Sequence, residues 1–337
     1  MSSVLSAVVA LPVALLAWIG RQGVWALAAI VVIGVVCPPL GAVFKAYVSE
    51  AIFILLCISF MRVDGAALRG YLRRPGLIAA ATAWNAIGVP LLTGLVFALS
   101  GLNLRAPELF LGLMLQMVAS PMMAAPALAT LMGLDATLVL VTLVTCTALL
   151  PLTAPVFAMV FLGDALKLSP LVLGAKLAGL LGGSLLAAAV LRRLVGAAAI
   201  QRHRQPIDGV NIVALLVVVA GMMETVAAEW LAAPGRMLLL TALAFAVFLV
   251  LLAVTVAVFR RAGRGEALAL GVMACQRNMG LMLAAAGGVL PGTTWLYFAL
   301  SQFPIYLSPL LMRPLLAMGT GTKGTAGGLE NKVESAG

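Results

Sequence analysis

One histidine, His203, and eleven carboxylates serve a chain of 337 residues, and no carboxylate falls in the middle of an apolar run. Such an inventory supplies no metal-ligand cluster, no nucleotide-binding loop and no Ser-His-Asp set. It also leaves no proton-carrying carboxylate inside the apolar segments. An intramembrane enzyme would need a nucleophile–base pair or a metal set, so the chain reads as a non-enzyme without cofactor or metal. The four cysteines (Cys37, Cys57, Cys146 and Cys275) all lie in apolar stretches, which implies no disulfide framework. Short segments of alternating polarity, the signature of a membrane β-barrel, are missing too.

What is present is apolar surface. Hydrophobic residues make up 64% of the chain, charged residues 9%, and mean hydropathy is +1.17. No water-soluble fold hides that much apolar side chain. Runs of roughly 18 residues or more, long enough for a hydrocarbon core of about 30 Å, recur along the sequence. The class is an all-α polytopic membrane protein whose first partner is the lipid bilayer. The net charge of +10 does not point to nucleic acid. Arg62, Arg69, Arg73 and Arg74 fall in one loop, Arg192, Arg193, Arg202 and Arg204 in a second, and Arg260, Arg261 and Arg264 in a third. The alternate loops hold one basic residue each, as the positive-inside rule expects of outer loops.

The apolar runs predict ten spans, at 24–43, 47–61, 76–99, 107–133, 135–162, 169–193, 207–228, 237–259, 266–290 and 293–317. Residues 1–20 hold a further apolar stretch at 4–19 with Pro12 inside it, expected as an interfacial helix or an extra span. Residues 319–337 are Gly/Thr-rich, then charged, and are expected as a disordered cytoplasmic tail. Five spans per half is an odd number, so two copies must insert with opposite orientation. The expectation is an inverted repeat, 21–164 against 165–318, in the inner (plasma) membrane with both ends of the ten-span core cytoplasmic. Glu224 falls at the interfacial end of its span.

Two spans are interrupted at corresponding places in the two halves. The fourth breaks at Ala119-Ser120-Pro121, where Pro121 removes a helix donor. The ninth breaks at Cys275-Gln276-Arg277-Asn278. Shifted by 158 positions, Pro121 falls on Met279 and Gly133 on Pro291. Paired broken helices are the best sequence pointer to the binding site of a secondary transporter. Arg277 sharpens the pointer, because a charge near the bilayer centre costs roughly 2.5–3.5 kcal/mol and such residues mark sites or pathways. Gln276 and Asn278 flank it, giving donors suited to an anionic oxygen group. The candidate substrate-binding set is Arg277, Gln276 and Asn278 with Ser120 and Pro121 at the facing break, and Asn85, Gln116 and Thr147 lining the cavity.

The chain resembles the bile acid:sodium symporter family over nearly the whole ten-span core. The resemblance is carried by Gly112 to Phe157, with Pro121, Pro151 and Pro155, and by Glu266 to Ala286. The family's Q-N-x-G-L at the ninth-span break is matched by Arg277-Asn278-Met279-Gly280-Leu281. The resemblance implies a panel domain and a core domain, fourth and ninth spans that unwind and cross, two sodium ions behind the crossover, and organic-anion substrates moved by an elevator-like or rocking motion. The implied sodium ligands match poorly. The family's Ser-Asn pair after the fourth-span break falls on Ala124 and Ala125, its acidic ninth-span ligand on Met273, and its glutamine on Arg277; Asn85, Thr147 and Asn278 survive.

A sodium ion needs several oxygen ligands, and desolvating it beside a guanidinium without a carboxylate is unfavourable. Arg277 is therefore expected to stand as a fixed positive charge where the family binds a mobile one. The expected function is alternating-access transport of a small organic anion without sodium, by facilitation or exchange. Two alternatives are a sodium-coupled organic-anion symporter with an altered ion site, and an exporter resembling the arsenite family. That second family uses a reactive fourth-span cysteine, whereas Cys146 and Cys275 lie in other spans.

Overall fold

A computed structural model describes residues 2–22, 24–62, 75–286 and 290–319. Arg69, Arg73 and Arg74, positions 287–289 of the ninth expected span and residues 320–337 of the expected tail lie outside it. Every regular element among the described residues is helical. In chain order they are α1 (Ser2–Arg21), α2 (Val24–Val36), α3 (Pro38–Lys45), α4 (Val48–Arg62), α5 (Pro75–Leu99), α6 (Pro107–Val118), α7 (Ala125–Leu131), α8 (Ala136–Leu162), α9 (Pro170–Val195), α10 (Arg204–Met222), α11 (Val226–Ala232), α12 (Pro234–Phe259), α13 (Arg264–Cys275), α14 (Met279–Ala286) and α15 (Gly292–Gly319). Short helical turns at Leu102–Arg105, Gly163–Ala165, Ala197–Arg202 and Arg260–Ala262 complete the set.

Local chemistry sets many of these ends. Proline opens α3, α6, α9 and α12, where its missing N–H is one the first turn does not use. The Asp135 carboxylate accepts from the N–H groups of Thr137 and Leu138 at 3.1 and 3.0 Å and so caps α8. Gly196 stops α9 at a φ of 82°, which a side chain would resist.

By length and composition, five described helices can cross a membrane alone, and up to seven if each bent pair counts as one span. The molecule is a helical membrane protein. One expected span departs from continuity: the run expected at 24–43 divides at Cys37, because Pro38 and Pro39 remove two consecutive donors. The run at 207–228 lies within one span-length helix, Arg204–Ala232, with a turn at Met223–Thr225 between α10 and α11. The stretch expected at 4–19 is a helix, α1, packed along α10.

The helices sort into two groups by contact. Helices α2, α3, α4 and α9 pack around or beside α10, while α5 to α8, α12, α13 and α15 pack on one another. The α8–α9, α2–α15 and α10–α15 contacts join the groups, and α14 touches α4, α6 and α9 at their junction. Close approach matters where α3 crosses α10. A Cβ at Gly41 would lie 2.6 Å from the Ala220 carbonyl oxygen, and one at Gly221 would lie 3.1 Å from the Lys45 main chain. Backbone on both sides cannot yield as a flexible side chain would. Gly41→Ala is therefore expected to destabilise the protein by about 1–3 kcal/mol, read as a lowered thermal unfolding midpoint in detergent. An unchanged midpoint would contradict the α3–α10 packing.

Candidate functional site

Two prolines prepare the site from opposite sides. In α5 the backbone widens to a π-turn over Trp84–Gly88, and the Val89 N–H bonds to the Trp84 carbonyl, five residues back. In that register the next donor, aimed at the Asn85 carbonyl, belongs to position 90. Pro90 has no N–H, so the Asn85 carbonyl is left for an outside partner. In the fourth segment α6 ends at Val118, and Ala119 turns extended with φ −54° and ψ 142°. The chain stays out of helix past Pro121 until α7 starts at Ala125, followed by Pro126. The break is thus longer than the three residues expected.

In the ninth segment α13 ends at Cys275, and Gln276 leaves the helix with φ −95° and ψ 84°. Asn278 restarts it: its Oδ1 accepts from the Leu281 N–H at 3.1 Å, a side-chain cap on α14. The two interruptions lie across each other and pair. Met122 N–H donates to the Gln276 carbonyl at 2.7 Å, Asn278 N–H donates to the Ser120 carbonyl at 2.8 Å, and Pro121 stands opposite Arg277 in an isolated antiparallel bridge. In this arrangement the two central residues do not use their own N–H groups on each other. Pro121 therefore breaks the helix without weakening the bridge.

Arg277 is 1% exposed. Its Nη1 donates to the Ala119 carbonyl at 2.9 Å and to the Asn85 carbonyl at 3.2 Å, the two acceptors that the fourth-segment break and Pro90 set free. Its Nε and Nη2 have no hydrogen-bond partner among the described residues, and no carboxylate there pairs with it. These two atoms share one edge of the guanidinium plane, the edge that takes two oxygens side-on.

A cavity of about 800 Å³ lies beside the bridge, between the two helix groups. Ile52, Leu55 and Leu56 of α4 and Leu215 and Val218 of α10 form one wall; Met122, Met123, Ala127, Leu143 and Tyr306 form the other. Arg277, Asn278, Met279 and Gly280 complete it at the bridge. At the opposite end the lining reaches Arg62, Arg192, Arg204 and Asp208, and Arg62 pairs with Asp208 at 2.6 Å. Away from this mouth Trp295 of α15 joins the two groups: its Nε1 donates to the Met222 carbonyl at 3.1 Å, and Lys45, paired within its own group with Glu224 at 2.7 Å, sits 5.4 Å from its ring.

The expected site residues divide accordingly. Arg277 and Asn278 line the cavity; Asn85, Gln116, Ser120, Pro121, Thr147 and Gln276 are not in its lining. Gln276 turns away, its Nε2 donating to Ser308 Oγ at 3.1 Å. Gln116 Oε1 is held by the Tyr297 hydroxyl, and Asn85 Nδ2 folds back to the Ala81 carbonyl at 2.9 Å. Thr147 is buried with its hydroxyl unpartnered, as is that of Ser120. Asn85, Ser120, Pro121 and Gln276 therefore serve the site through their main chains. Where the resemblance puts sodium ligands, Ala125 and Met273 are fully buried in one apolar cluster with Leu138 and Val139. Gln302, Tyr306 and Asp208 join the lining without having been expected. They sit in ordinary helical sequence, and no local signal marks them.

No protein-family model matches the chain, and no curated protein matches it.

The Tyr297–Gln116 bond ties α15 to α6 directly behind the first break. Tyr297→Phe leaves a buried amide oxygen without its donor and is expected to cost about 1–3 kcal/mol, measured by thermal unfolding in detergent. A variant as stable as the parent would mean that this bond does not brace the break.

Proposed function

We propose that this protein is a secondary transporter that moves a small organic anion by alternating access, with Arg277 in the role of a coupling cation. The observation that carries the reading is a buried guanidinium, Arg277, in the lining of the cavity, with Nε and Nη2, which share one edge, unpartnered among the described residues. A carboxylate or sulfonate fits that edge with two parallel charge-assisted hydrogen bonds. The largely aliphatic walls suit the organic remainder of such a molecule.

The scaffold we infer is ten spans in two inverted five-helix repeats, 21–164 and 165–318, as in the bile acid:sodium symporters that the sequence resembles. Support comes from the register of the crossover. Arg277 bonds to Ala119, its equivalent at the 158-residue offset, and Asn278 bonds to Ser120 at that same offset. A pseudo-twofold axis through the Ser120–Asn278 pair relates the two breaks. The grouping of α2, α3, α4, α9 and α10 against the remaining helices fits a panel and a core that slide or rock about each other. The mouth of the cavity lies at the end carrying Arg62, Arg192 and Arg204, which the positive-inside rule assigns to the cytoplasm of a plasma (inner) membrane protein. In this reading the Lys45–Glu224 pair and Trp295 close the outer side.

The position that the resemblance gives to an acidic sodium ligand is Met273, fully buried beside Ala125 in an apolar cluster, which argues against sodium coupling in the family's manner. Neither Cys146 nor Cys275 lines the cavity, so nothing favours a metalloid substrate.

The test is thermal stability of the purified protein with acetate, benzoate, decanoate or naphthalene-2-sulfonate, each with and without sodium. At about 100 times its dissociation constant a bound anion adds about 2.7 kcal/mol. Stabilisation by at least one of these anions in sodium-free buffer, lost in Arg277→Met, is expected. Stabilisation that appears only with sodium would overturn the assignment of Arg277.

A further inference from the structure

Two buried side chains of the cavity wall keep polar atoms that the scaffold does not use. Gln302 and Tyr306 lie one turn apart on one face of α15, and both line the cavity. The Tyr306 hydroxyl has no hydrogen-bond partner among the described residues, yet it is not sealed in as the unpartnered hydroxyls of Ser120, Thr142 and Thr147 are. Because Tyr306 lines the cavity, the accessible surface that its hydroxyl keeps lies there. Gln302 does the same with one atom. Its Nε2 donates to the Phe298 carbonyl at 3.0 Å, which fixes which way round the amide stands. Its Oε1 is left without a partner among the described residues, and it too is not sealed in.

This stretch of α15 is fixed against the crossover. Gln276, in the ninth-segment break, donates from Nε2 to Ser308 Oγ at 3.1 Å, just past Tyr306 on the same helix. Asn278, the next polar residue of the lining, spends its Oδ1 on capping α14. Its Nδ2 is neither partnered among the described residues nor sealed in. Beside the bridge the cavity therefore meets an acceptor on Gln302, a hydroxyl on Tyr306 and an amide donor on Asn278. A plain hydrocarbon body would cover these groups and satisfy none of them, which is costly once the cavity closes. A hydroxyl is the smallest group that can donate to Gln302 Oε1 and accept from Tyr306 or Asn278.

We propose that Gln302 and Tyr306 form a hydroxyl-recognising subsite, and that the organic anion this protein carries bears a hydroxyl on its carbon skeleton. The inference rests on the cavity being the site of the transported anion. It adds to the charge of Arg277 a second point of recognition, one that selects among anions by what their skeleton carries.

The experiment measures dissociation constants by titration calorimetry on the full chain in detergent, in sodium-free buffer. Each plain anion is compared with its hydroxylated form: benzoate with ortho-, meta- and para-hydroxybenzoate, and decanoate with its terminally hydroxylated derivative. At least one hydroxylated anion is expected to bind at least about tenfold tighter than its plain counterpart. Tyr306→Phe removes a single oxygen that braces nothing in the fold, and Gln302→Leu removes the facing amide. Each is expected to cut the preference to about threefold or less, with affinity for the plain anion kept within about twofold. No preference in the unmodified chain, or a preference that either variant retains, would overturn the subsite and leave the transporter reading standing. Binding of no anion of either kind would overturn both.

Discussion

A guanidinium brings five N–H donors and a charge that it cannot discard, so burying one commits the surrounding main chain to receive it. Here two carbonyls do so, those of Asn85 and Ala119, and neither would be available in an unbroken α-helix. One is freed by a π-turn followed by Pro90, the other by the end of α6 before Pro121. Helix carboxyl ends also favour positive charge, and α6 and α13 both terminate at this point. The interruptions are thus what makes a buried Arg277 tolerable.

The interruptions create a demand of their own, because unpaired main-chain groups inside an apolar protein are costly. The two breaks meet it for each other, through Met122 with Gln276 and Asn278 with Ser120. Four half-helices are thereby locked at one crossing. The amino ends of α7 and α14 start from it, and the Asn278 side chain is spent on capping α14 rather than on reaching into the cavity. What remains unpartnered among the described residues is one guanidinium edge on a stiff frame, in a residue that lines a mostly aliphatic chamber. The ion pairs Arg62–Asp208, at the mouth of the chamber, and Lys45–Glu224 each join segments far apart in sequence.

Much of this was legible in the sequence where a residue carries its own cost. Pro121 inside an apolar run, and Arg277 with apolar flanks on both sides, announced two breaks because neither residue fits a continuous membrane helix. Pro90 is just as disruptive but gave no warning, since its effect appears as a π-turn that keeps α5 continuous. The division at Cys37 follows from Pro38 and Pro39, although the apolar run at 24–43 is continuous across them. The amides misled for a different reason. Gln116 and Gln276 are costly to bury, which marks them as important, but sequence cannot tell whether a buried amide faces a ligand or a distant hydroxyl. Tyr297 and Ser308 answer that, and both lie far along the chain.

The account turns on Arg277 occupying the place of a cation. Direct binding of radioactive sodium to the purified protein, by equilibrium dialysis against choline as the replacing ion, addresses it without knowledge of the substrate. The account predicts no saturable sodium binding, in the parent chain or in the presence of naphthalene-2-sulfonate. One or more sodium ions bound per chain, with Arg277 intact, would contradict it.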